Sequence, residues 1–271
     1  MSFRCCVRAR YITSYTLSML YSEHRPAAAL RALVRCYWTL CGRAAAAPPE
    51  RILPDGSFDI VFHLGEPFVR DGVPQPAAMI VGEIRRPVVV RPRGVADVFG
   101  VRFRLGGAAA FVRIPMRELR DLVLPIDEVF PRSLSERVAE ASSTPERIGI
   151  VESFLMQRLS IPRHLAATSA AVEFMRRRQS SRGVAAAIGL TERTLERAFN
   201  ECVGISAKSL SRLLRFHAAL ADPLLDAGYY DDSHFIHDFR EFSGTTPSEF
   251  RREQNAMNDA FVGNLQYHDA S

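Results

Sequence analysis

Several features of membrane proteins and common enzymes are missing from this sequence of 271 residues. No apolar stretch reaches the roughly 18 uncharged residues that a membrane-spanning helix needs, because arginine interrupts every one. The chain also has no G-x-S-x-G, H-E-x-x-H or phosphate-loop pattern, which are typical of hydrolases, metalloproteases and nucleotide-binding proteins. We therefore expect a protein that neither spans a membrane nor acts as an enzyme.

Cysteine and lysine are scarce as well. The five cysteines form an odd set without a repeated C-x-x-C spacing, so the sequence indicates neither a disulfide framework nor a zinc site. A reducing cytoplasm is the simpler expectation for such a chain. Lys208 is the only lysine among 35 basic residues, so arginine carries nearly all of the positive charge. The net charge of +5 permits binding to nucleic acid, but many other proteins share such a value.

Residues 30 to 105 have the pattern of a small antiparallel β-sheet or barrel. Segments rich in β-branched and aromatic residues alternate there with Pro, Gly and Asp. The Leu-Pro-Asp-Gly segment at 53–56 predicts a tight turn, and the Asp-Gly pair at 71–72 predicts a two-residue hairpin. Several aromatic residues on these strands are interpreted as core, with a ligand pocket as the alternative. They are Tyr37, Trp38, Phe58, Phe62 and Phe103.

From residue 106 the apolar spacing becomes helical and stays so to about residue 160. Pro162 disfavours the α conformation for the residue before it, so a domain boundary is placed near residue 164. The fold class is expected to be α+β, with a mainly β region that ends near residue 105. The expected divisions are a disordered extension at 1–18, a β-rich N-terminal domain with a helical connector at 19–164, an all-α domain at 165–253 and a disordered tail at 254–271.

The region at 184–199 has the pattern of two helices joined by a turn. A short apolar run contains Gly189, and Thr191 is placed to cap the helix that follows. On that helix Leu195, Phe199 and Cys202 share one face, which predicts that it packs inward. Arg193, Arg197 and Asn200 occupy the opposite face. The candidates for DNA contact are Thr191, Arg193, Thr194, Glu196, Arg197 and Asn200. Guanidinium and amide groups read base edges or bind phosphates in a major groove, although a plain solvent-exposed face is the alternative interpretation.

A similar unit follows, with Gly228 placed 39 residues after Gly189. Asp232 is expected to cap a helix that Gly244 ends in a left-handed conformation. Phe235, Phe239 and Phe242 are expected to share the inner face of this helix. The candidates for DNA contact are Ser233, His234, His237 and Arg240. The two histidines lie close to Asp231 and Asp232 in the chain, but the pattern marks no third ligand from elsewhere, so no metal site is expected.

These segments together resemble the paired helix-turn-helix domain of AraC-type (AraC/XylS) transcription regulators. The resemblance rests on GLTERTLERAF, VGISAKSLSRLLRF and GYYDDSHFIHDFREFSGTTPSEF, in this order over about ninety residues. Upstream, HRPAAALRALVRCYW, LPDG and FGVRF resemble the β-rich N-terminal domain of one subgroup, whose ligand is generally not established.

The resemblance implies a bacterial regulator that binds specific sequences of double-stranded DNA and needs no cofactor. Its two recognition helices, at 191–200 and 232–243, would enter successive segments of the major groove. The N-terminal domain would be sensory or dimerising, which leaves room for a small-molecule effector and a homodimer.

Two departures from the family pattern bear on this reading. The family usually has proline where Ala207 stands, but Ser206 can still cap the linker helix at 208–221. The spacing between Gly189 and Gly228 is about ten residues shorter than two tandem units normally use. Only residues 223–227 remain for the supporting helix, so the second helix-turn-helix is predicted to be shortened.

The charge distribution also separates the two units. Residues 176–215 contain nine basic and three acidic side chains, whereas residues 222–253 contain three basic and eight acidic side chains. We therefore predict that the first unit supplies most of the DNA affinity. The alternative function is a ligand-binding or protein-interaction module of the same family whose DNA binding is impaired.

Overall fold

The computed structural model describes residues 19–43, 49–178, 181–221 and 228–259. The strands in this part of the chain are β1 (Met19–His24), β2 (Val34–Arg43), β3 (Glu50–Ile52), β4 (Asp59–His63), β5 (Val69–Arg70), β6 (Val73–Pro74), β7 (Ala78–Val81), β8 (Val88–Arg91), β9 (Val95–Phe103) and β10 (Val123–Pro125). The α-helices are α1 (Arg132–Glu140), α2 (Thr144–Arg158), α3 (Leu165–Arg178), α4 (Val184–Ala187), α5 (Glu192–Cys202), α6 (Ala207–Ala221), α7 (Asp232–Ser243) and α8 (Pro247–Asp259).

The strands form two antiparallel sheets, so the predicted α+β class with an antiparallel N-terminal region is confirmed. The larger sheet has the order β1-β2-β9-β4-β7-β10, and the smaller sheet has the order β3-β8-β5-β6. The predicted hairpin joins β5 to β6, where Arg70 pairs with Val73. Asp71 and Gly72 have φ angles of 51° and 82°, the positive values that a two-residue type I′ turn requires.

The central strands β2, β9 and β4 of the six-stranded sheet are buried on both faces, to which successive side chains point in turn. One face packs against the helical connector and the other faces the four-stranded sheet. The cluster on the connector side includes Tyr37, Phe62, Phe99, Leu134 and Leu155. The cluster on the other side includes Leu40, Val61, Met79, Val90 and Val98.

Two strands of the described chain lie outside the predicted range of 30 to 105. β10 falls in the region expected to be helical, yet it pairs with β7 at the edge of the large sheet. The expectation of helical structure is therefore wrong for these three residues, because a strand of this length is too short to show alternation. β1 pairs with β2 at the opposite edge. Its pattern is weak because one face is open to solvent, with Leu20 70% exposed.

Beyond residue 165 the described chain contains α-helices and the turns between them, but no strand. They share a core of aliphatic and aromatic residues that includes Val172, Met175, Leu195, Phe199, Leu210, Leu213 and Phe216. α8 continues to Asp259, six residues beyond the expected domain end at 253. No helix in the described residues is long and apolar enough to cross a membrane. The expected extension at 1–18, the supporting segment at 223–227 and the end of the expected tail at 260–271 lie outside the described residues.

The predicted turn at 53–56 joins the β-rich part of the chain to helix α6. His217 Nε2 lies 2.7 Å from the carbonyl oxygen of Pro54, and Leu53 is buried in the core of the helical region. A Cβ at Gly56 would lie 2.8 Å from Leu105 Cδ2 and 3.6 Å from Leu213 Cδ2. The turn is therefore a packed contact between the two parts.

Candidate nucleic-acid interface

Helices α4 and α5 form the first helix-turn-helix, as the sequence predicts. Gly189 lies in the turn between them with a φ of 70°, a value that glycine adopts without strain. Thr191 caps α5, because its side chain accepts a hydrogen bond from the backbone N–H of Thr194 at 3.2 Å. The start of the first recognition helix is thus defined by its own cap.

The inner face of α5 is buried as predicted. Leu195, Phe199 and Cys202 are at most 2% exposed, and Ala198 lies between them with no exposed surface. Burial raises the pKa of the Cys202 thiol, which keeps it protonated near neutral pH. Cys202 is a core residue, and the rigid inner face fixes the orientation of the outer one.

The outer face of α5 presents most of the predicted DNA-contacting side chains. Arg193, Glu196 and Arg197 are exposed, whereas Asn200 is partly buried. Thr191 is also exposed but its hydroxyl lies 2.9 Å from that of Thr194, so both hydroxyls take part in the cap. Within the described residues neither arginine side chain forms a hydrogen bond or an ion pair.

Helix α7 has the bounds predicted for the second recognition helix, but its cap differs. Asp231, not Asp232, precedes the helix in an extended conformation and accepts a hydrogen bond from the backbone N–H of His234 at 2.7 Å. The assignment of the cap to Asp232 was therefore wrong, because two adjacent aspartates satisfy the same pattern. Gly244 ends the helix with a φ of 76°, as predicted.

Aromatic packing holds α7 against α6. Phe239 and Phe242 are buried, and their ring centroids lie 5.4 and 5.3 Å from that of Phe216. Phe235 is partly buried on the same face and its ring lies 5.5 Å from Phe239. The predicted inner face of α7 is confirmed.

An ion pair that the sequence analysis missed reinforces this contact. Arg212 Nη2 lies 2.6 Å from Asp238 Oδ1, and the same guanidinium bonds to Glu241. The Asp238 side chain is only 1% exposed. Burial lowers the pKa of Arg212, but the hydrogen bonds to the two carboxylates outweigh it and raise the pKa above its usual value. α7 is therefore anchored on α6 by residues outside the 222–227 segment.

The outer face of α7 differs from that of α5 in its charge pairing. Ser233, His237 and Arg240 are exposed and His234 is partly buried. The two histidines lie near the same buried carboxylate, with His237 Nδ1 3.5 Å from Asp238 Oδ1 and His234 Nε2 3.9 Å from Oδ2. Arg240 makes no ion pair with the rest of the described chain.

The set of candidate metal ligands that the structure brings together differs from the histidines and aspartates considered in the sequence. His237, Asp238 and Glu241 place candidate ligand atoms within 4.8 Å of one another. Both carboxylates already bind the guanidinium of Arg212, so a metal ion would have to displace a positive charge. The cluster is an ion-pair network that secures α7.

Two stretches of the chain match known families. Residues 22–125 match a domain of unknown function, DUF6597, and residues 184–253 match a helix-turn-helix domain. The first match extends to β10, and the second contains both α5 and α7. No curated protein and no solved structure matches the chain significantly.

Proposed function

We propose, from the premise that this chain is a DNA-binding regulator of the AraC family with an N-terminal domain of unknown ligand, that α5 supplies most of its sequence-specific contact with double-stranded DNA. The observation that carries the proposal is the pair Arg193 and Arg197. They lie one helical turn apart, exposed, on a helix whose other face is buried in the core.

A free guanidinium can donate two hydrogen bonds to a guanine edge or bind a backbone phosphate. Neither arginine of α5 has to leave a carboxylate of the described chain to do so. The basic balance of residues 176–215 adds a favourable field for phosphates around this helix.

We assign α7 the smaller share. Its histidines already lie near Asp238, and the acidic balance of residues 222–253 opposes a phosphate backbone. Its firm packing on α6 supports a second, weaker contact rather than no contact. We also propose that the protein is bacterial and cytoplasmic and that it forms a homodimer. The boundary between its two domains is placed near residue 164, just before α3 begins.

The test compares single alanine variants in the two helices at one fixed salt concentration. DNA fragments are first selected from the source genome with the full chain, and binding is then measured by mobility shift. Arg193→Ala or Arg197→Ala should cost about 1 to 3 kcal/mol if the side chain reads a base, with relaxed preference at one position. A phosphate contact would instead weaken all sequences alike and lower the salt slope by roughly one unit.

Ser233→Ala, His237→Ala and Arg240→Ala are the matched variants on α7, and each should cost less. Larger losses from these three than from the α5 variants would contradict the proposal. Failure of the unaltered chain to retain any fragment would favour the alternative of a ligand-binding or protein-interaction module.

A further inference from the structure

A cavity of about 150 Å³ lies between the two sheets of the N-terminal region. Its walls are mostly apolar, with Leu40, Val61 and Val98 on one sheet and Val88 and Val90 on the other. An apolar cavity of this size can hold a ring the size of benzene. The cavity lies within the region matched by the domain of unknown function.

One of the five aromatic residues predicted as core lines this cavity. It is Trp38, whose indole packs against Gly100, where a Cβ would be 2.0 Å from Trp38 Cε2. Trp38 Nε1 is buried and has no hydrogen-bond acceptor in the described structure. The other four belong to the core cluster on the opposite face of the sheet: Tyr37, Phe58, Phe62 and Phe103.

The positive charges in the wall of the cavity already have carboxylate partners. Arg102 Nη2 lies 3.0 Å from Asp59 Oδ2, and both side chains are 15% exposed. Arg70 Nε lies 3.5 Å from Asp71 Oδ2. An anionic ligand would have to compete with these partners, so the wall does not favour one.

Glu50 is the charged group in the wall that lacks a counter-charge. It is 8% exposed, and its carboxylate forms no hydrogen bond or ion pair with any part of the chain that the structure describes. Its backbone is fixed, because β3 pairs with β8 and brings Glu50 opposite Val90. Burial alone raises the pKa of Glu50 to about 7, which reflects the missing partner.

From this arrangement we infer that the cavity binds a small organic cation, an ammonium group on an apolar or aromatic body, with the nitrogen paired to Glu50. The ammonium would donate a charge-assisted hydrogen bond to a carboxylate that is otherwise buried alone. The rings of Tyr21, Trp38 and Phe68 line the same space and offer faces that attract a cation. The inference specifies the ligand class of the N-terminal domain and does not depend on which helix reads DNA.

Fluorescence gives a direct test, because Trp38 is the only tryptophan of the chain and lines the cavity. The 271-residue chain, without DNA, is titrated at pH 8 with benzylammonium, benzyl alcohol or benzoate, which are close in size and differ in charge. Benzylammonium should saturate the signal at a concentration about tenfold lower than either of the others. Equal affinity for all three, tighter binding of benzoate, or no saturable change at millimolar concentrations would overturn the inference.

Glu50→Gln removes the charge while keeping the shape. The variant should bind benzylammonium about tenfold more weakly and benzyl alcohol nearly as well as the unaltered protein. Glu66→Gln, which neutralises an exposed carboxylate in the same region, is the control and should behave as the unaltered protein. Thermal unfolding shows that both variants are folded. Equal weakening of all three ligands by Glu50→Gln, or none, would contradict an ionic role for Glu50.

The affinity for benzylammonium should fall about fivefold between pH 8 and pH 6, since Glu50 takes up a proton near pH 7 and its neutral form should bind about tenfold more weakly. The other charged groups of the wall stay in their pairs, Asp59 with Arg102 and Arg70 with Asp71. His63 also lines the cavity, and burial lowers its pKa to about 4, so it remains neutral throughout. A pH-independent affinity would contradict the pairing. A failure here leaves the DNA measurements unaffected, because no DNA is present.

Discussion

At the scale of single residues, the feature with the largest consequence is a carboxyl group buried without a partner. The pKa of Glu50 is raised by burial from an ordinary value of 4.5 to about 7. In the unfolded chain the group ionises near pH 4.5, but in the folded protein it resists ionisation. The folded state is therefore progressively disfavoured by Glu50 as the pH rises from about 4.5 to 7.

Glu50→Gln should remove this penalty. The variant should match the unaltered protein at pH 4 and exceed its free energy of unfolding by about 3 kcal/mol at pH 8, with the difference developing between pH 4.5 and 7. Urea unfolding across this range measures the difference, in which the titration of His63 cancels because both proteins contain it. A constant difference at every pH would show that Glu50 keeps an ordinary pKa. Glu66→Gln again provides the exposed control.

At the scale of secondary-structure elements, the attachment of α7 to α6 depends on a buried carboxylate and one guanidinium. Removing Arg212 would leave Asp238, which is 1% exposed, without its counter-charge. Arg212 also lies over the ring of Phe242, 5.3 Å from its centroid, so the arginine contributes packing as well as charge.

Arg212→Leu should therefore lower the free energy of unfolding by about 3 to 5 kcal/mol. Arg240→Leu, on the exposed face of α7, should change it by less than about 0.5 kcal/mol. Urea unfolding of both variants at pH 7 makes the comparison. A loss below about 1 kcal/mol for Arg212→Leu would mean that the aromatic contacts with Phe216 hold α7 in place without the ion pair.

At the scale of the whole molecule, the turn at 53–56 connects the cavity-bearing β region to the helices that carry DNA contacts. Gly56 and Gly72 provide a matched pair, because both have positive φ angles, 71° and 82°. Around Gly56 a Cβ would meet Leu105 at 2.8 Å, whereas around Gly72 it would meet no atom within 4 Å.

Gly72→Ala should cost about 1 to 2 kcal/mol, the price of a left-handed conformation for a residue with a Cβ. Gly56→Ala should cost at least about 1 kcal/mol more, because it also forces Leu105 away from the contact with α6. Thermal unfolding of the two variants gives the difference. Equal losses would show that Leu105 can move away from a Cβ at Gly56 at little cost in free energy.

The turn at 53–56 is one of the features that can be predicted from local sequence alone. A Pro-Asp-Gly segment predicts a turn because it meets local backbone requirements, and the cap at Thr191 and the end of α7 at Gly244 follow for the same reason. The faces of α5 and α7 also follow, since helical periodicity alone separates Leu195 and Phe199 from Arg193. For these features the sequence by itself determined the outcome.

Features that join distant residues were decided by the tertiary structure. β10 is a strand because β7 offers it a hydrogen-bonding edge, not because three residues carry a pattern. Arg212 and Asp238 are 26 residues apart, and only the packing of α6 on α7 makes them partners. Glu50 lies in a strand of three residues, and only the packing of the two sheets buries its carboxyl group in the wall of the cavity that Trp38 also lines. Local sequence sets backbone conformation and amphipathic faces, whereas burial and charge pairing depend on which faces the fold brings together.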